Sequence, residues 1–296
     1  MRRFLGAAAA AWACLTALGP VATAQPQADP FRGQYASIEI TLAPRAAERQ
    51  AAALDEALDA LQPQRRGVTD VYVLAAGFWS DPVFESEASQ AADILRQRLG
   101  ADGRTIVLSQ GGGVGDPRFP AATPFNVSAA MGRIGRLIDP EEDLVVIFFT
   151  SHGSPDGSIA IRDQSRLSAA LRPVHLRDAL NDAGIRNRVV IVSACFSGAF
   201  VAPLIDERTI VLTAAAPDRS SFGCQPENEW TYFGDAYFNN ALRNGAPLVQ
   251  AFDEARTQIA QWERERGIAP PSNPQRHVGA RAHDLVRRAE TAARAR

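Results

Sequence analysis

The sequence contains no lysine, and all 31 of its basic residues are arginine. That absence excludes a P-loop with its phosphate-binding lysine, a Schiff-base enzyme and a Ser-Lys hydrolase. Arginine cannot stand in as a base, because its guanidinium is essentially never deprotonated in proteins. Cysteine is nearly as scarce, with only Cys14, Cys195 and Cys224. Two or three cysteines make no disulfide framework. The four histidines, His152, His175, His277 and His283, are scattered without metal-ligand spacing, so neither a metal nor a cofactor is expected. Charge of one sign is also lacking. A net charge of −2 argues against nucleic acid as the main partner.

What remains is the composition of an ordinary globular chain, 296 residues long and 46% hydrophobic, able to bury a substantial core. One apolar run, Phe4 to Leu18, follows the basic Met1-Arg2-Arg3 and leads to the small-x-small Ala22-Thr23-Ala24. This pattern reads as a signal peptide over residues 1–24, cleaved after Ala24, too short to favour a membrane span. The mature chain is then secreted or periplasmic, without stable membrane insertion, and Cys195 and Cys224 are its only cysteines. Bonding them to each other would leave no free thiol.

Residues 25–66 read as a lead-in with one helix, Ala46 to Leu61, whose Leu54, Leu58 and Leu61 share a face. Residues 67–269 alternate strand and helix patterns. Strands are expected at Val68–Ala75, Thr105–Leu108 and Thr209–Ala216, and helices at Ser86–Leu99, 126–138, Val174–Ala183, Thr231–Leu242 and Pro247–Glu265. A short hairpin arm is expected at Ser158–Ile161. Asn126 is read as the cap of its helix. The glycine cluster Gly111-Gly112-Gly113-Val114-Gly115 lacks the G-x-G-x-x-G spacing and reads as a loop beside a cleft, not a phosphate cradle. Pro270-Pro271 marks a boundary, and residues 270–296 form an arginine-rich tail, helical or disordered.

Two stretches carry the chemistry. Leu144-Val145-Val146-Ile147-Phe148-Phe149 runs into Thr150-Ser151-His152-Gly153, and Val189-Val190-Ile191-Val192 runs into Ser193-Ala194-Cys195-Phe196-Ser197-Gly198. Unbroken apolar runs of this length read as strands buried on both faces, typical of a parallel sheet. In open α/β sheets, function collects at the carboxyl ends of strands. The expected crossover helix between the two places both ends on one edge. A histidine and a cysteine brought together this way form a candidate dyad: the thiolate is the nucleophile, and the imidazole moves its proton.

His-Gly closing one strand and Ala-Cys-x-Ser-Gly closing another resembles the legumain (hemoglobinase, asparaginyl endopeptidase) family of caspase-like cysteine peptidases. His152 precedes Cys195 by 43 residues, against about 50 in caspases. Thr213-Ala214-Ala215-Ala216-Pro217-Asp218-Arg219-Ser220-Ser221-Phe222-Gly223-Cys224, then Thr231-Tyr232-Phe233-Gly234-Asp235, is similar to the family's substrate-pocket segment. The resemblance spans roughly residues 68 to 260. It implies a three-layer α-β-α sandwich around a mainly parallel sheet, a peptide or protein substrate, and a cysteine endopeptidase acting through an acyl-enzyme. Two alternatives accompany it: a transpeptidase or ligase using the same acyl-enzyme, and an inactive peptide-binding scaffold.

The resemblance further implies that the backbone N–H groups of Gly153 and Cys195 bind the oxyanion, with glycine sparing the substrate carbonyl from crowding. In the pocket, the family's serine matches Ser221 and its aspartate matches Asp235. The family's glutamate before Ala-Cys is Ser193 here, and its arginine falls near Phe84 or Glu85. With half of the asparagine-reading set absent, P1 is asparagine or a basic residue, the latter read by Asp235 with help from Glu85. The family's histidine-orienting asparagine has no match in Ala75-Ala76-Gly77-Phe78, which leaves the third catalytic member unnamed. Ser151 replaces the usual acid before His-Gly. Cys224 is read as a packing residue.

Overall fold

In the computed structural model, which describes residues 44–110, 118–163 and 167–295, the apolar runs become the strands of one sheet. In chain order the elements are α1 (Pro44–Asp59), β1 (Val71–Gly77), α2 (Pro82–Leu99), β2 (Thr105–Ser109), α3 (Pro124–Leu137), β3 (Leu144–Thr150), β4 (Ile159–Asp163), β5 (Leu167–Leu171), α4 (Pro173–Asp182), β6 (Arg188–Ser193), β7 (Thr209–Thr213), α5 (Tyr232–Gly234), α6 (Leu248–Glu265), β8 (Gln275–Val278) and α7 (Ala280–Arg294). A π-helical stretch, Asp235–Leu242, continues α5. The sheet runs in the order β2-β1-β3-β6-β7-β8, parallel except for β8, and β4 pairs β5 as a separate antiparallel hairpin.

Both faces of the sheet are covered. Along β1, Val71, Val73 and Ala75 pack into one core with residues of α2, α6 and α7. Tyr72, Leu74 and Ala76 pack into the other with residues of α1, α3 and α4. A strand buried on both faces has no polar side to alternate with, which is why β1, β3 and β6 read as unbroken apolar runs. The architecture is the expected three-layer α-β-α sandwich.

Several boundaries differ from the sequence reading for identifiable reasons. β1 starts at Val71 rather than Val68, because residues 65–70 form a turn closed on Asp70. That carboxylate accepts the Arg65 amide at 2.7 Å and its guanidinium at 2.6 Å. α2 begins at Pro82, four residues early, with proline at its first position, where a missing N–H costs nothing. α3 is capped by Thr123, whose hydroxyl accepts the Asn126 amide at 3.1 Å; Asn126 is not the cap.

Of the two readings of the tail, helical or disordered, the structure takes the helical one. β8 pairs antiparallel with β7, and α7 buries Ala282, Leu285, Val286 and Ala289 in the core. Glu290 on α7 accepts the Leu248 amide at the start of α6 at 2.7 Å, a carboxylate at a helix N-terminus. What the sequence left unread is that this helix docks on the core. The signal-peptide stretch, Cys14, residues 25–43 and the glycine cluster lie outside the described residues. No helix among the described residues is long and apolar enough to cross a membrane.

Candidate active site

β3 and β6 are neighbours, with Phe149 opposite Val192 and Thr150 opposite Ser193. The register continues past the strand ends: the Ser151 amide donates to the Ser193 carbonyl at 3.1 Å. His152 therefore leaves β3 beside the residue two before Cys195. On its other side the loop is held by β4. The Ala160 amide donates to the His152 carbonyl, and the Ser154 amide donates to the Ser158 carbonyl, each at 2.9 Å. Between them Gly153 and Ile159 face each other as a non-hydrogen-bonded pair, so the Gly153 N–H points away from the hairpin. The reason for glycine is visible here. A Cβ at Gly153 would lie 1.9 Å from the Cys195 carbonyl oxygen and 2.8 Å from its carbon. The crowding is with the backbone of Cys195 itself.

Cys195 follows β6 by two residues and is half-buried. The chain then reverses at Phe196, which has φ 59° and ψ 11° and donates its amide to the Arg219 carbonyl at 2.7 Å. The sharp turn is thus made by a non-glycine residue in the left-handed region. That costs roughly 1–2 kcal/mol and is typical of functional turns. Gly198 serves close approach instead, since a Cβ there would meet the Pro217 nitrogen at 2.6 Å. The sulfur faces Ser221, whose amide donates to Sγ at 3.3 Å. The thiol lies 3.5 Å from the Ser221 carbonyl and 3.7 Å from its hydroxyl.

The His152 ring sits edge-on to Trp79 and Phe84, with ring centroids at 4.8 and 5.0 Å. Loss of water against these rings lowers the imidazole pKa below its ordinary value; Asp81, with Oδ2 3.9 Å from Nε2, acts in the opposite direction. The balance favours a neutral imidazole, able to accept a proton. Asp81 is the residue that sequence reasoning missed. It precedes Pro82 at the start of α2, and a helix start at the carboxyl end of β1 was the one local signal that could have found it.

The peptidase C13 family model matches residues 118–279, more than half of the chain, and takes in both His152 and Cys195. The chain belongs to the peptidase C13 family. Among solved structures, the crystal structure of caspase-1 from Spodoptera frugiperda superposes with a TM-score of 0.50 at 9% identity, covering 74% of this chain and 88% of that one. At that identity the likeness concerns the fold alone. No curated protein matches the chain. Peptidase C13 membership together with the caspase-like fold supports a cysteine peptidase.

The other sequence-predicted residues of this C13 family member take up different positions. Ser221 lies against Cys195. Ser193 is buried, its hydroxyl 3.0 Å from that of Thr231 and 3.5 Å from Glu87, so it lies beneath the site and is not open to a substrate. Asp235, half-buried in the first turn of the π-helical stretch, accepts the side-chain amides of Asn239 at 2.6 Å and Asn240 at 3.4 Å. Glu85, in the first turn of α2, accepts the Ser109 hydroxyl at 2.7 Å. Cys224 is a free, half-buried thiol. Burial pushes its pKa up, and Cys195, Asp81 and Glu87 add to the shift, so these groups share one electrostatic neighbourhood. No cluster of histidine, cysteine and carboxylate side chains among the described residues could hold a metal.

Proposed function

We propose that this protein is an exported cysteine endopeptidase in which Cys195 and His152 act as a dyad, with Asp81 as the group that biases the imidazole. The observation that carries the reading is the packing of Gly153 onto the Cys195 carbonyl, which couples the two catalytic loops directly. His152 takes the Cys195 proton as the sulfur attacks the scissile carbonyl carbon. The resulting oxyanion is received by the Gly153 and Cys195 amides. The C–N bond then breaks, His152 returns the proton to the departing amine, and the acyl group remains on sulfur as a thioester. Water attacks that thioester, giving a proton to His152. The C–S bond breaks, and the proton returns to sulfur.

For the P1 residue, asparagine and the basic side chains remain the readings. Asp235 and Glu85 supply carboxylates, and no arginine occupies the position near Phe84 and Glu85. The deciding experiment is hydrolysis of fluorogenic peptides with P1 varied over Asn, Asp, Arg, Lys and Ala, beside Cys195→Ala and Asp81→Ala. We expect cleavage to vanish in Cys195→Ala. Asp81→Ala should keep measurable activity, with the acid limb of kcat/KM moved to lower pH, since it removes the contribution that raises the imidazole pKa. Equal cleavage by wild type and Cys195→Ala would sink the reading. An added amine that diverts product into a new peptide bond would assign the ligase alternative instead.

A further inference from the structure

Below the dyad lies a carboxyl group that the reaction scheme does not use. Glu87 of α2 is fully buried. One carboxylate oxygen accepts the Thr150 hydroxyl; the other accepts the Thr231 hydroxyl at 2.6 Å and lies 3.5 Å from the Ser193 hydroxyl. Thr150 and Ser193 are register partners at the ends of β3 and β6. Each stands two residues before a member of the dyad. The third partner, Thr231, caps α5 by accepting the Gly234 amide at 3.1 Å, and the next residue, Tyr232, donates its amide to Phe222 beside the Cys195 contact Ser221. Gly234 completes the fit: a Cβ there would lie 1.9 Å from a Glu87 oxygen. One side chain thus ties together the His152 strand, the Cys195 strand and the pocket segment. Glu87 lies outside the span matched by the family model.

We propose that Glu87 is a positioning residue for the peptidase reaction, a proton-linked latch that holds the two catalytic strand ends and α5 in one arrangement. The inference rests on the peptidase reading above. Burial pushes the carboxyl up to about 7, with the Thr150, Thr231 and Ser193 hydroxyls and the Thr231 backbone only partly opposing it. The titratable groups around the two strand ends and α5 are His152 beyond β3, Cys195 beyond β6, Cys224 in the pocket segment, Tyr232 on α5, Asp235 after it, and Asp81 and Glu85 at the start of α2. None of Glu87's hydrogen-bond partners is a cation, so its ionised form carries an unbalanced charge beside a site that must itself accept negative charge. The neutral form is the competent latch.

The test compares kcat/KM from about pH 5 to pH 9 for wild type, Glu87→Gln and Thr150→Val, with Cys195→Ala as the blank. Gln keeps the shape and hydrogen bonds of the neutral acid but cannot ionise. We expect wild type to lose about ten- to hundredfold relative to Glu87→Gln as pH rises through the carboxyl's titration, the scale of a small misplacement of reacting groups. Thr150→Val, which removes a hydroxyl donor to the carboxylate, should move that inflection to higher pH. A wild-type to Glu87→Gln ratio that is constant with pH, or an inflection unmoved by Thr150→Val, overturns the proposal. Should Glu87→Gln fail to fold, Thr150→Val decides alone. If wild type cleaves no peptide, the peptidase reading fails separately. The latch is then read from the pH dependence of Cys195 alkylation by iodoacetamide, and a profile identical in wild type and Thr150→Val overturns it.

Discussion

At the scale of single residues, the site is built from close backbone approaches that only particular side chains permit. Gly153 touches the Cys195 carbonyl so closely that any Cβ requires the His152 loop or the Cys195 loop to move. The atoms such a Cβ would meet are all backbone, so no flexible side chain can give way. Gly153→Ala should therefore lower kcat by about a hundredfold or more, the scale of losing one oxyanion donor, and should also lower the melting temperature. Normal kcat and stability in this variant would show that the loops do not depend on each other. His-Gly and Ala-Cys were legible in the sequence because each pattern records a local backbone constraint. Asp81 was not legible, since its place beside His152 depends on how α2 docks after β1. Ser193 was correctly placed at the Cys195 strand end, but only packing shows that its hydroxyl turns inward to Glu87 and Thr231.

At the scale of elements, the parallel strands bring His152 and Cys195 to one sheet edge and the C-terminal elements protect the sheet. β8 covers the hydrogen-bonding edge of β7, which would otherwise stand open to pairing with other chains. α7 buries two large aliphatic side chains, Leu285 and Val286, each worth about 1.5–3 kcal/mol when removed from water. Deleting residues 275–296 should therefore give an aggregating chain with a lost or broadened unfolding transition, checked by soluble yield and circular dichroism. A soluble, cooperatively folded truncation would restore the view of this segment as a tail. Composition left the docking of this helix unread, because five of the eight exposed positions of α7 are charged. Its apolar stripe of alanine, leucine and valine is narrow, and the stripe becomes meaningful only where a core exists to receive it.

At the scale of the whole molecule, buried carboxyls tie stability to pH. Glu87 is pushed up to about 7 and Asp143 to about 6, in both cases chiefly by burial. In the unfolded chain these groups ionise near ordinary carboxylate values, so between those values and the folded ones the native state holds more protons. Stability therefore falls as pH rises through that window, and levels off above it. From the ordinary 4.5 to about 7, Glu87 alone accounts for on the order of 3 kcal/mol. Urea unfolding midpoints should be higher at pH 5 than at pH 8, and Glu87→Gln should flatten most of the difference. An unchanged slope in Glu87→Gln would mean that the carboxyl is already ionised in the fold.

The sequence by itself determined the layered α/β architecture, the two strand ends that carry His152 and Cys195, and the segment that brings Ser221 to Cys195. Each is written in a run of neighbouring residues, as an unbroken apolar stretch, a glycine at a point of close approach or a reactive side chain at a strand terminus. Tertiary structure alone decided what stands behind them. Glu87 meets Thr150, Ser193 and Thr231 across 63, 106 and 144 positions of sequence. A glutamate in a helix ordinarily reads as solvent-facing. Only the docking of α2 over the ends of β3 and β6 buries it, because the hydroxyls that receive it come from three elements no local pattern connects.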